Sequence, residues 1–241
     1  MERWEIIQAS VESIISSLGE ADPRVRTFRH NVDGEALPQL AQSVLQDESL
    51  DINITSRALW IAPLVPTPTL TAQIVTTLHS NPALAGLAAV ALDRIHDPST
   101  LSELQVILVD RSLPTQCRAA AADAMAWLFH PAVKATLLQI LNSSNEDKAV
   151  VVAVLGALGM SQLHERSTDA AGDMCRLLLA EVPDIRDAVL TTLGNIGAIE
   201  AIPRVKAFTG DQAKTSSGRS IGDNAARVLR LLEEQSKRRF R

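Results

Sequence analysis

The 241 residues, 46% hydrophobic and 21% charged, hold enough apolar side chain for a folded core, which excludes whole-chain disorder; the length suits one elongated domain or two small ones. Three Trp, four Phe and no Tyr leave core volume to Ala, Leu, Val and Ile, a composition that favours closely approaching helices over a β-sandwich or barrel. The net charge of −5 argues against a general binder of polyanions.

In chain order, residues 1–18 place Trp4, Ile7, Val11, Ile14, Ile15 and Leu18 on one helical face that ends at Gly19. Asp22-Pro23 opens a second helix through Val25 and Phe28, and Gly34 breaks it before a stripe of Leu37, Leu40, Val44 and Leu45. Pro63, Pro66 and Pro68 then interrupt the chain until Leu70, Ile74, Val75 and Leu78 resume the period. Residues 1–80 read as a divergent N-terminal cap over the open end of a helical stack. Further helices are expected at 84–95, 116–129, 148–158 and 185–196, each followed by a break and a second apolar-periodic segment. In the first break, Asp97 supplies a capping carboxylate and Pro98 a first-turn proline. Two stretches read as solvated loops. One is a polar insertion at 161–170 with His164, Glu165 and Arg166, and the other is the Gly/Ser/Lys-rich segment 209–222. The chain closes with a basic tail, 236–241, of four cations.

A repeat organises these helices. The pentapeptides Ala58–Ala62, Ala91–Ile95, Ala124–Leu128, Val154–Leu158, Thr192–Ile196 and Val228–Leu232 align on an anchor at their second residue. The anchors Leu59, Leu92, Met125, Leu155, Leu193 and Leu229 are spaced by 33, 33, 30, 38 and 36 residues, a mean of 34. No stretch alternates as a strand does. The expected fold is all-α: a single α-solenoid over residues 1–241 with about six stacked antiparallel helix pairs, clearest at 82–235. A glycine after an anchor leucine fits either close helix packing or a left-handed helix end.

The run from Ile185-Arg186 through Leu193-Gly194-Asn195-Ile196-Gly197 to Glu200-Ala201-Ile202-Pro203 resembles a HEAT repeat. More narrowly, it is similar to the short HEAT-like repeat named after phycobilisome bilin lyases. Cys117-Arg118 with Ala119–Met125 matches that pattern without its glycines. Asp147-Lys148 with Val154–Gly159 keeps the glycines and puts Lys in place of Arg. Ala85 and Gly222 stand where the other units carry the basic residue. The resemblance implies an armadillo-like superhelix whose second helices line a concave surface.

No catalytic motif is present. Gly210–Thr215 only superficially resembles a phosphate loop, because Ala213 precedes Lys214 where a glycine is required. Thr168 stands where a zinc protease needs its second His, and Cys117 and Cys175 lack partners at metal-ligand spacing. No cofactor or metal is therefore expected. His30, His79, His96 and His130 fall near helix ends, where capping is the simple reading. The two cysteines read as buried thiols of a reducing cytoplasm. No secretory pattern or membrane-spanning run is visible, so a cytoplasmic location is expected.

The expected function is a non-catalytic scaffold, adaptor, assembly factor or inhibitor whose concave face binds another protein or peptide. With the anchor helices as the inner row, the ridge facing a partner comprises Asp93, Arg94, Asp123, Trp127, Asp187, Thr191, Asn195, Arg227 and Arg230. Trp127 is the sharpest of these, as Trp and Arg are enriched at binding hot spots. Its alternative is to fold against Phe129 or a neighbouring unit. Two rival functions follow from the resemblance: a bilin lyase-like subunit attaching tetrapyrroles to phycobiliproteins, and a HEAT-like nucleic-acid binder or DNA glycosylase. The acidic charge and the scarce aromatics disfavour the latter.

Overall fold

The computed structural model describes residues 3–30, 36–143 and 145–239. Gly34, the side chain of Trp4 and the last two tail residues lie outside the described residues. Among the described residues there is no strand, only an isolated bridge between Lys214 and Ser220. None of the helices is long and apolar enough to cross a membrane, among the described residues.

The chain divides into two compact units, Met1–Ala124 and Met125–Arg241. The first carries α1 (Arg3–Leu18), α2 (Pro23–His30), α3 (Ala36–Gln46), α4 (Ile52–Ile61), α5 (Pro68–Ser80), α6 (Ala85–Ile95) and α7 (Leu101–Val109), and α8 (Thr115–Met125) closes it. Successive contacts run α1–α4–α6 in one row and α3–α5–α7 in the other, with α3/α4 and α5/α6 as hairpins. The second unit carries α9 (Pro131–Leu141), α10 (Lys148–Glu165), α11 (Ala171–Arg176), α12 (Pro183–Ile196), α13 (Ile202–Lys206) and α14 (Ile221–Arg239). There α10–α12–α14 form one row, and α9, α11 and α13 pack as their hairpin partners. The anchor helices α4, α6, α10, α12 and α14 are thus the second members of their hairpins. This is an all-helical, HEAT-like repeat architecture.

The helix starts follow local chemistry. Side chains of Asp51, Thr67, Asp97, His130 and Asp147 accept hydrogen bonds from backbone N–H groups of the first turns, and Pro68, Pro98 and Pro131 occupy first-turn positions. His96 ends α6 in the left-handed conformation, and His130 caps α9, so both serve helix ends. The basic residue of the repeat has a defined task. Arg118 Nε donates to Leu108 O at 2.9 Å, and Arg186 Nη1 donates to Ala180 O at 2.7 Å. Each guanidinium reaches back to a carbonyl at the end of the preceding helical segment, a group the helix itself leaves unpaired. Lys148 lacks the fork and stays half-exposed.

Five anchors are buried: Leu59, Leu92, Met125, Leu155 and Leu193. Leu229 is only half-buried, and α14 buries Val228 and Leu232 instead. The two roles expected of glycine fall to different glycines. A Cβ on Gly159 would stand 2.8 Å from Thr192 Cγ2, so this position sets the close approach of α10 to α12. Gly197, at φ 68°, is the left-handed cap of α12.

Two sequence expectations need correction and a third needs refinement. The helix expected to end at 158 runs on to Glu165, so 161–165 is no insertion. Gln162 is fully buried there, and its Oε1 accepts from Ala170 N at 3.2 Å, which ties the following turn to the helix. The helix expected to reach 129 stops at Met125, which leaves Trp127 in a turn and Phe129 at φ 46°. The segment 209–222 is mostly exposed, as a solvated loop is, but hydrogen bonds fix it: Thr215 is buried, and its backbone N–H donates to Arg219 O at 2.9 Å. Of the cysteines, Cys117 is buried as expected and Cys175 is half-buried.

Candidate protein-docking groove

The anchor-helix row of the second unit carries a groove of about 490 Å³. Its floor is one face of α10, where Ala149, Val152, Gly156, Met160 and Leu163 recur at helical spacing, together with Ala188 of α12. One wall is polar and belongs to α12: Asp184, Asp187, Thr191 and Asn195. The segment 209–222 folds over the N-terminal half of α12 and adds Thr215, Ser217 and Arg219. Lys148 closes the end at which both helices begin.

Hydrogen bonds fix this wall. Ser216 donates to Asp184 from its hydroxyl at 2.6 Å and from its backbone N–H at 3.2 Å. The hydroxyl bond, more than any other contact, holds the Asp184 carboxyl below the usual carboxylate range. Asp187 is buried and accepts from Asn224 Nδ2 at 2.7 Å and from Arg219 Nη1 at 2.8 Å. Asn224 also donates to Thr191 Oγ1 and accepts from Arg227. Arg186 Nε lies 3.2 Å from Asp211 Oδ2, an ion pair without the alignment of a hydrogen bond.

The structure therefore gathers Asp187, Thr191 and Asn195 into one groove and links Arg227 to it through Asn224. Arg230 is exposed on the same helix as Arg227. Sequence reasoning missed Lys148, Asp184, Ser216, Arg219 and Asn224. For Ser216 and Arg219 the only available signal was the polar composition of 209–222, which by itself does not tell a fixed wall from a loose loop; Lys148 was visible only as the basic residue of its repeat. Trp127 takes its bland alternative: its ring meets Phe129 edge-on at 6.1 Å, and Phe129 stacks on His164 at 3.9 Å. Glu165 lies near Lys134, and Arg166 is the left-handed cap of α10, so the His164-Glu165-Arg166 cluster is dispersed.

Asp93, Arg94 and Asp123 belong to the first unit. The Arg94 guanidinium lies 4.8 Å over the Trp60 ring, and burial pushes the Asp93 carboxyl upward. Burial likewise pushes Asp123 up to about 6, although the side chain keeps a path to solvent. A carboxyl raised above its unfolded value near 3.9 charges at a cost to the folded state, and that cost grows as pH rises through the folded value. Asp123→Asn is expected to stabilise the protein by up to about 1 kcal/mol at pH 7.5, a figure discounted for exposure, and by nothing at pH 4. Urea melts at the two pH values measure this; an equal effect at both would show that the carboxyl is not desolvated.

No protein-family model matches the chain, and no curated protein matches it. Among solved structures it is similar to human deoxyhypusine hydroxylase, at 17% identity and a TM-score of 0.50, over 82% of this chain and 85% of that one. It is also similar to an engineered protein at 16% identity and a TM-score of 0.50, over 93% and 96% of the two chains. Likeness at this identity shows the fold alone.

Proposed function

We propose that this HEAT-like protein is a docking module that binds a protein or peptide on the exposed face of its anchor helices, as a scaffold, assembly factor or inhibitor. The groove between α10 and α12 carries the reading. It is an apolar floor beside a wall of fixed polar groups, lined by Asp187, Thr191 and Asn195. Asn195 is exposed, while Asp187 is held by its neighbours, so the wall offers both an adaptable and a rigid contact. The finer assignment to the bilin-lyase type of repeat rests on Ile185–Pro203 and the partial matches at Cys117–Met125 and Asp147–Gly159, and stands as a second reading.

Affinity capture from the native host with mass spectrometry tests the docking reading. Asn195→Trp obstructs the groove, and Leu179→Ser alters a residue 76% exposed on the other helical row. The expected result is a protein recovered equally by wild type and Leu179→Ser and at least tenfold less by Asn195→Trp. Equal recovery by all three overturns the assignment to this face.

A further inference from the structure

We propose that the groove takes an extended polypeptide segment, with an acidic residue at the Lys148–Arg219 end and a bulky apolar residue at the Leu163 end. This deepens the docking reading and rests on it.

Length and shape select an extended chain. From Ala149 to Leu163 the floor runs about 21 Å at the helical rise, the span of about six extended residues. The close approach of α10 to α12 at Gly159 and Thr192 keeps the floor shallow. On a shallow floor an extended chain keeps its backbone in contact along its whole length, whereas a partner helix 10–12 Å across touches it with one face only. Gly156 adds a second argument. It lies mid-helix and exposed, and a Cβ there would meet nothing within 4 Å. A helical glycine costs about 1 kcal/mol relative to alanine, and no internal contact of Gly156 offsets that. Its bare backbone admits a partner main chain more closely than any side chain would.

The charges set the direction. In the Lys148–Asp184 pair, 3.7 Å apart, the side-chain exposures are 51% and 23%; in Arg219–Asp187 they are 59% and 12%. Each carboxylate is turned inward and met by Ser216 or Asn224, so the solvent-facing member of each pair is the cation. Lys148 and Arg219 therefore favour an acidic side chain and disfavour a basic segment, including this chain's own tail. At the far end Leu163 is 43% exposed, and the next residue, His164, stacks on Phe129, itself 44% exposed. The exposed Leu163 side chain thus ends the floor on an apolar group, suited to Leu, Met or Phe.

The test selects random heptapeptides displayed on phage against the full chain, with binding of synthesised winners read by fluorescence anisotropy. The expected winners carry Asp or Glu four or five positions from Leu, Met or Phe. Gly156→Gln, which fills the floor without touching the core, is expected to weaken them at least tenfold with a melt no lower than that of wild type. Lys148→Glu is expected to remove the preference for the acidic residue. Winners that bind Gly156→Gln as tightly as wild type overturn the groove while leaving peptide docking in place. Winners that bind in the groove but carry basic residues overturn the charge assignment. No enrichment on wild type overturns both this inference and the docking reading beneath it.

Discussion

Leu155→Asp is expected to unfold the second unit as a block. Leu155 lies fully buried in α10, which packs on both α9 and α12. Removing the leucine forfeits about 1.5–3 kcal/mol of transfer free energy. The carboxylate that replaces it must be buried charged or taken up as the neutral acid, a further cost of several kcal/mol. A loss above about 5 kcal/mol equals the whole stability of many domains. In a repeat stack each hairpin is held by its neighbours, so losing the α9/α10 pair uncovers α12 as well. Thermal melts followed by circular dichroism measure it. Leu179→Asp is the control, because that leucine is 76% exposed and its change should stay within about 0.5 kcal/mol. A wild-type melt for Leu155→Asp would refute the repeat assignment.

The core was the legible part of this protein because burial imprints a period. Ala58-Leu59, Ala91-Leu92, Ala124-Met125 and Thr192-Leu193 all face inward, since stacking demands the same small-then-large pair from every anchor helix. Helix ends were less legible. Gln162 is polar by type, but its amide is spent inside, on Ala170 N, and so it extends a helix that composition ends early. Trp127 sits two residues past an anchor, which predicts an outward ridge position only if the helix continues, and it stops at Met125. The groove was half legible. Thr191 and Asn195 flank Leu193 on one helix and are found by spacing, whereas Arg219 and Asn224 reach Asp187 from 32 and 37 residues away. Such pairings depend on how a loop folds back, and local pattern carries no trace of that. The repeat's Arg was visible as a motif, but its task at the carbonyls of Leu108 and Ala180 was not.

Gly222→Val is expected to detach the segment 209–222 from the polar wall while sparing the helices. In the last repeat Gly222 replaces the basic residue found at Arg118 and Arg186, and the structure supplies the reason. A Cβ there would stand 2.7 Å from Asp211 O and 3.0 Å from Thr209 O, both backbone atoms that cannot rotate away. The Gly222 N–H donates to the same Asp211 carbonyl at 3.0 Å, so valine both crowds and breaks the contact that closes the segment. Moving it away pulls Asp211 from Arg186, Ser216 from Asp184 and Arg219 from Asp187. The expected cost is about 2–3 kcal/mol from overpacking and lost charge-assisted hydrogen bonds. Limited trypsin digestion reads the detachment directly, since Lys214 and Arg219 both lie in the segment. Cleavage there should accelerate several-fold, while Gly210→Ala, whose Cβ would meet nothing within 4 Å, should digest like wild type. With Arg219 withdrawn, peptides selected on the groove should lose both affinity and their acidic preference. Wild-type digestion and binding in Gly222→Val would mean that the segment is not anchored through this contact, and that the groove's cationic end does not depend on it.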